Sequence, residues 1–285
     1  MAQAQLIAAS INVGGYGFED RAEPARKVFR DVEAHIIGFQ EFKKEDLFLD
    51  VFGQHGHHFV WGYCLPNNGF YCPIAYNGAR LELRDNGFFH LTKTGGPGIS
   101  FDDVSDRSVT WAVFEDRQTG EEILVVNTQF GFHPQSIREG MRLVMDFVKG
   151  RPEKRVIFLG DLNMNVAKRW HPRRWWSRQA MRNTFASWSA YALALKDGFR
   201  DAFTSARTAD WIKRRKRKRT FTNFMGMYPG EDNGGTYDPD YIFVYWEVDG
   251  EKLHIALCTM VTVTVGGVDA SDHLWVIMQL RYGPS

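Results

Sequence analysis

Short apolar runs rich in β-branched and aromatic residues recur along this chain, and they limit it to a strand-built core. Leu6–Val13, Ile36–Phe39 and Val156–Leu159 are of this kind, and each ends in polar residues or glycine. Runs of roughly four to eight such residues match buried strands and are too short for helices. Thr110–Phe114 and Ile123–Asn127 flank the polar stretch Glu115–Glu122, which contains Gly120, and this predicts a hairpin. Tyr241–Tyr245, Leu257–Val265 and Leu274–Leu280 are further strand candidates. Helical spacing occurs over Pro24–Ala34 and over Ile137–Val148, where positions 137, 141, 144, 145 and 148 are apolar. A hairpin among strands and helices predicts an α/β sandwich rather than a purely parallel sheet. Tyr63–Gly69, Gly95–Gly98 and Gly230–Gly235 read as loops.

With 44% hydrophobic and 24% charged residues among 285, the chain is an ordinary globular protein, which excludes disorder as its main state. We read residues 1–285 as a single domain carrying a basic, Trp-rich segment at about 165–219. No apolar run approaches the roughly 18 residues of a membrane span, and the opening MAQAQLIAASINV lacks the basic start of a signal peptide. The expectation is a cytoplasmic protein, or a nuclear one in a eukaryote. Cys64, Cys72 and Cys258 form no CxxC pair, so they read as reduced structural thiols rather than a zinc site. No feature of the sequence sets an oligomeric state.

A net charge of +1 hides an uneven distribution. Residues 151–220 hold 19 Lys and Arg against 5 Asp and Glu, whereas the rest of the chain is acidic. Seven consecutive cations, Lys213 to Arg219, dominate this stretch, and Trp170, Trp175, Trp176, Trp188 and Trp211 lie within it. Cations interleaved with stacking surfaces suit nucleic acid; an anionic membrane or a solvated loop is the competing reading. Trp188 with Ala192 and Leu195 has the spacing of a core-facing helical stripe.

Four polar signatures sit at the ends of apolar runs: Asn12 in SINV, Glu41 in IIGFQE, Asp161 with Asn163 in VIFLGDLN, and Asp272 with His273 in SDHLWV. Carboxylates placed just past buried strands can gather hard oxygen ligands around a divalent cation. Taken singly, each fits a turn or a helix cap as well.

In this order the series resembles the endonuclease/exonuclease/phosphatase superfamily, the deoxyribonuclease I-like fold. The resemblance rests on INV at 11–13, FQE at 39–41, NTQ at 127–129, GDLN at 160–163, DYIF at 240–243 and SDH at 271–273. PIAYN at 73–77, RSVTWAVFED at 107–116 and TFTNF at 220–224 extend it over nearly the whole chain. It implies a four-layered α/β sandwich, two packed mixed sheets flanked by helices, with the active site at one edge. It also implies Mg²⁺ or Mn²⁺, held by Glu41 with Asn12 and Asp272. Asp161 would then activate water and Asn163 bind phosphate oxygens. His273 would contact the phosphate, with Asp240 fixing its tautomer. Arg107, Gln129, Asn127 and Tyr76 would contact substrate.

Phosphodiester hydrolysis needs positive charge, a deprotonated water and leaving-group stabilisation, and these residue types can supply all three. The resemblance therefore points to a metal-dependent phosphodiester hydrolase, most simply a nuclease on DNA or RNA. A phosphatase of nucleotides, phosphoinositides or other small phosphoesters is the alternative, and a non-catalytic anion-binding module a third. Two departures stand out. Gln129 replaces the family's usual His, and Phe70 falls where deoxyribonuclease I has that histidine's acidic partner. Gln can hydrogen-bond but cannot shuttle a proton, so the joint change reads as a redesigned site.

Overall fold

The computed structural model describes residues 4–14, 22–23, 25–27, 33–42, 49–50, 56–62, 72–164, 178–206, 240–248, 253–261, 264–265, 268–269 and 275–282. In chain order the strands are β1 (Ala4–Asn12), β2 (Ile36–Gln40), β3 (His57–Val60), β4 (Ile74–Asn77), β5 (Leu81–His90), β6 (Ser108–Asp116) and β7 (Glu121–Gln129). They continue with β8 (Arg155–Asp161), β9 (Arg200–Asp201), β10 (Asp240–Trp246), β11 (His254–Val261), β12 (Thr264–Val265), β13 (Val268–Asp269) and β14 (Trp275–Tyr282). Helices α1 (Pro134–Lys149), α2 (Arg178–Lys196) and the short α3 (Ala202–Ser205) complete the described elements.

Two six-stranded sheets carry the fold, ordered β11-β14-β1-β2-β4-β3 and β5-β6-β7-β8-β10-β9. Both are mixed. β1 with β2 and β7 with β8 are parallel pairs, and antiparallel strands flank them. Side chains alternate across each strand, so one strand serves two interiors. In β7, Ile123 and Val125 join the core between the sheets, with Leu6, Ala8, Ile36 and Leu280 of the opposite sheet. Leu124 and Val126 point the other way, onto Ile137, Met141, Val144 and Met145 of α1. Beyond the first sheet, Ala9, Ile11, Ile37 and Phe39 pack with Ala22 and Ala25, which lie in helical backbone. The expected four-layered sandwich is the observed architecture.

Pro134 opens α1, where its fixed φ suits the first turn and its missing N–H costs nothing. Each of the α1 aliphatics buried on the second sheet contributes on the order of 1.5–3 kcal/mol; a charge at Met141 or Val144, both fully buried, would break the docking. Helix α2 packs on α1, and Ala190 and Ala194, four apart and buried, join the cluster of the α1 aliphatics. Small residues on that face let the helix approach closely. The face expected in the core is outward instead: Trp188 is 47% exposed and Leu195 44%, with Phe185 at 64%. Alanines at helical spacing carry little hydrophobic signal, so the larger residues misdirected the reading.

Strand β5 escaped the sequence reading because it is an edge strand with polar residues on both faces and a bulge between Leu83 and Asp85. Of the expected helix Pro24–Ala34, only 25–27 is described as helical, and Glu33 and Ala34 lie outside helix. Leu257–Val265, expected as one strand, divides into the end of β11 and β12. The basic tract Lys213–Arg219 lies outside the described residues, as do Trp170, Trp175, Trp176, Trp211 and the TFTNF segment.

Candidate functional site

The inward positions of four strands are apolar along most of their length and turn polar at one edge. On β1 the inward series is Leu6, Ala8, Ser10, Asn12; on β2 it is Ile36, Gly38, Gln40. On β7 it is Ile123, Val125, Asn127, Gln129, and on β8 Ile157, Leu159, Asp161. Asn12 sits opposite Gln40 and Gln129 opposite Asp161, so each parallel pair ends in register.

Strict alternation would send Glu41 outward, since Gln40 before it faces in. Its backbone instead adopts φ +55°, a left-handed conformation that costs a non-glycine residue about 1–3 kcal/mol. The reversal brings the Glu41 carboxylate back to the inter-sheet edge. Asn163 adopts φ +48°, which Asn tolerates better, and it closes a turn by donating its backbone N–H to Asp161 Oδ1 at 3.1 Å. Asn163 Nδ2 donates to the Phe130 carbonyl at 2.7 Å, anchoring the turn to the end of β7.

Two carboxylates and two amides meet here. Asn12 Nδ2 donates to Asp161 Oδ2 at 3.0 Å and to Glu41 Oε1 at 3.3 Å. Gln129 Nε2 donates to the same two oxygens, at 3.2 Å and 2.9 Å. Each sheet supplies one amide and one carboxylate, and each amide nitrogen donates once within its own sheet and once across. The Gly14 N–H donates to Asn12 Oδ1 at 2.8 Å, which fixes which end of that amide faces the acids. Asn12 and Asp161 are 1% and 2% exposed, so the Asp161 charge stands at the dry end of the core, while Glu41 is half-buried.

A brace supports the cluster one step deeper. Asn127 Nδ2 lies against the carbonyls of Phe39 (2.8 Å), Cys72 (3.0 Å) and Pro73 (3.0 Å), and its Oδ1 accepts from Gln40 Nε2 at 2.7 Å. Gly38 is required beside it, because a Cβ there would lie 2.6 Å from Asn127 Oδ1. Asn127 was expected among the substrate contacts. It is fully buried, and its amide holds one sheet to the other.

Tyr76 was expected among those contacts as well. It pairs with Ile36, at the end of β2 remote from Glu41, and packs on Phe114 with ring centroids 4.8 Å apart. Arg107 lies just before β6 and donates its Nε to Asp103 Oδ2 at 3.2 Å; its neighbour Ser108 accepts from Thr128, next to Gln129. Asp240 opens β10 in register with Asp161. Asp272, His273 and Phe70 lie outside the described residues. Gln129, by contrast, donates to the acidic pair, a use that the NTQ motif alone does not reveal.

Glu41 and Asp161 offer hard oxygen donors that share hydrogen-bond donors and so stand within two hydrogen-bond lengths of one another. That set fits Mg²⁺ or Mn²⁺ rather than a thiophilic ion. Among the described residues there is no group of three or more His, Cys, Asp and Glu side chains placed to hold a metal.

No protein-family profile matches the chain, and no curated protein matches it in sequence. Solved structures match it over nearly its full length. An endonuclease/exonuclease/phosphatase from Bacteroides vulgatus aligns at TM-score 0.73 and 22% identity, covering 97% of this chain and 98% of that one. A mannosyl-6-phosphatase from Bacteroides thetaiotaomicron aligns at 0.70 and 20%, covering 96% and 99%. D. rerio TDP2, solved with a single-stranded DNA product, aligns at 0.69 and 14%, covering 97% and 99%. The fold is therefore that of the endonuclease/exonuclease/phosphatase proteins. No described helix is long and apolar enough to cross a membrane.

Proposed function

We propose that this protein is a divalent-cation-dependent phosphodiester hydrolase acting on nucleic acid. The observation that carries the reading is the pairing of Glu41 and Asp161 across the two sheets, at one edge of a sandwich whose structural neighbours handle phosphoesters. Glu41 and Asp272 would hold Mg²⁺ or Mn²⁺, with Asn12 joining them through its Oδ1 once that oxygen exchanges the Gly14 N–H for the cation, and a cation bound there supplies charge neutralisation to the phosphate. Asp161 takes the proton of the attacking water. Its Oδ1 is already oriented by the Asn163 N–H, so the basic oxygen is held in place before substrate binds. His273, its tautomer set by Asp240, donates to the phosphate, and Arg107 lies along the same edge for substrate. The tract Lys213 to Arg219 supplies phosphate contacts along a nucleic-acid strand.

A second reading, hydrolysis of small phosphoesters, is favoured by the likeness to the mannosyl-6-phosphatase. One panel separates the two: Mg²⁺ and Mn²⁺ assays on single- and double-stranded DNA, RNA, an abasic duplex, an aryl phosphodiester and a sugar phosphate. Cleavage of polynucleotide that EDTA abolishes is the expected result. Turnover of the sugar phosphate alone would move the assignment to the second reading, and metal-independent turnover would overturn both. If Lys213, Arg215 and Arg217 contact phosphates, replacing them with Ala flattens the salt dependence of DNA binding by a log–log slope of about 0.9 per lost contact. It leaves the aryl phosphodiester rate unchanged.

A further inference from the structure

We infer that Gln129 is a positioning residue that acts as a neutral clamp, fixing the spacing of the Glu41 and Asp161 carboxylates while leaving their negative charge for a hard divalent cation. The inference rests on the cation-dependent reading above and gives a role to a residue type that the family pattern does not supply. Gln129 Nε2 donates both of its hydrogens, one to Glu41 Oε1 and one to Asp161 Oδ2, and the residue is only 5% exposed. Asn12 Nδ2 closes the same pair of oxygens from the other sheet. The acids are thus spanned twice, once from each sheet, by groups that carry no charge.

The chemistry of the side chain explains the choice. Imidazole has at most one hydrogen on each ring nitrogen, so it cannot give one hydrogen to each of two oxygens from a single atom. A lysine ammonium has three hydrogens and could span them, but it would cancel one of their two charges and occupy the field a cation needs. A carboxamide nitrogen is the group that bridges without neutralising. Its position at the end of β7, in register with Asp161, lets a single side chain reach its own sheet's acid and the other sheet's. The change from His to Gln at position 129 is therefore a working part of this site and not a missing piece.

The test uses the full chain, with Mn²⁺ alone as probe. Melting temperature is measured without metal, Mn²⁺ affinity from the electron paramagnetic resonance signal of the free ion, and kcat and KM on an aryl phosphodiester. Gln129→Ala should lower the metal-free melting temperature and weaken Mn²⁺ binding or kcat by about 10- to 100-fold, as loss of a group that orients a metal ligand does, with KM little changed. Gln129→Lys should raise the metal-free melting temperature and yet weaken Mn²⁺ binding at least as much as Gln129→Ala, an opposition that a purely structural role would not produce. Wild-type Mn²⁺ affinity in Gln129→Lys, or unchanged melting temperature and affinity in Gln129→Ala, overturns the clamp. A wild-type chain that binds no Mn²⁺ overturns the functional reading and the cation half of the inference together. The bridge is then decided by the two metal-free melting temperatures.

Discussion

The layer between the sheets is polar at both ends, and the two ends are built on opposite principles. At one, Asp116 Oδ2 accepts from Arg80 Nη2 at 2.5 Å and from the Tyr282 hydroxyl, while its Oδ1 takes the Gln118 N–H at 2.9 Å. A carboxylate takes hydrogen bonds from a guanidinium and a phenol there, all nearly or fully buried, and the Arg80 Nε is left without a partner among the described residues. At the other end, the donors described on Glu41 and Asp161 include the neutral amides of Asn12 and Gln129. The first arrangement balances its charge with a side-chain cation and holds the far ends of β1, β6 and β14 together. The second spaces two acids with uncharged groups, which makes structural sense at a site that receives a cation. A buried acid is structure where a guanidinium is built in beside it, as at Asp116, and candidate chemistry where neutral amides space it from a second acid, as at Glu41 and Asp161.

The largest effect expected from breaking this contrast is on activity. Asp161→Asn keeps the shape and the Asn163 turn but removes the base, and it should lose about 3–5 kcal/mol of transition-state stabilisation in kcat/KM. A wild-type rate in the folded variant would place the base elsewhere.

The opposite end should answer in stability. Arg80→Ala leaves the Asp116 charge buried with only the neutral Tyr282 hydroxyl and Gln118 N–H as described donors, and about 3–5 kcal/mol of unfolding free energy should go, read from urea titration. Replacing Arg80, Asp116 and Tyr282 together by Met, Leu and Phe should recover most of that loss, since no uncompensated charge remains. Failure to recover would mean that this end does more than balance charge.

Gly38 lies on the path between core and site. Gly38→Ala forces the new Cβ against Asn127 Oδ1, and about 1–3 kcal/mol of stability should be lost as the brace shifts. Activity should fall with it, because Gln40 and Glu41 follow directly. Normal stability with normal activity would show that the brace yields at no cost.

The smallest effect is a pH dependence at the charge-balanced end. His35 Nδ1 accepts the Ile7 N–H at 3.0 Å; burial, and then the Arg80 guanidinium, hold its imidazole below the ordinary value. A histidine kept neutral in the fold contributes stability that is complete above its ordinary pKa of about 6.5, and this contribution is lost as pH falls from there toward the depressed value. Melting temperature should therefore decline on acidification through that window. His35→Asn, which keeps an acceptor but takes no proton, should blunt the decline, and an identical pH profile would remove His35 from the account.

Much of the fold was legible because its strands are the kind that sequence declares. β2, β8 and most of β1, β6, β7 and β10 are buried on both faces and read as apolar runs, β14 alternates buried with partly exposed positions, and α1 shows an unbroken apolar stripe. β5 and the packing face of α2 were not legible. Polar edge residues and alanines carry too little hydrophobic contrast to declare which way they face. At the site, the motifs named Asn12, Glu41, Asp161 and Asn163, because each polar residue interrupts or ends an apolar run.

What the sequence by itself determined was the class of chain: an α/β sandwich with acids at the ends of buried strands, since alternation and strand length are local properties. Only the tertiary structure decided which polar residues meet. Asn127 and Gln129 are two residues apart on the same face of β7, yet one is a brace sealed between the sheets and the other spans the acidic pair. Local alternation gives both the same direction. What they touch is set by where β1, β2 and the left-handed turn at Glu41 lie across the interface, and those contacts join residues 88 apart in sequence.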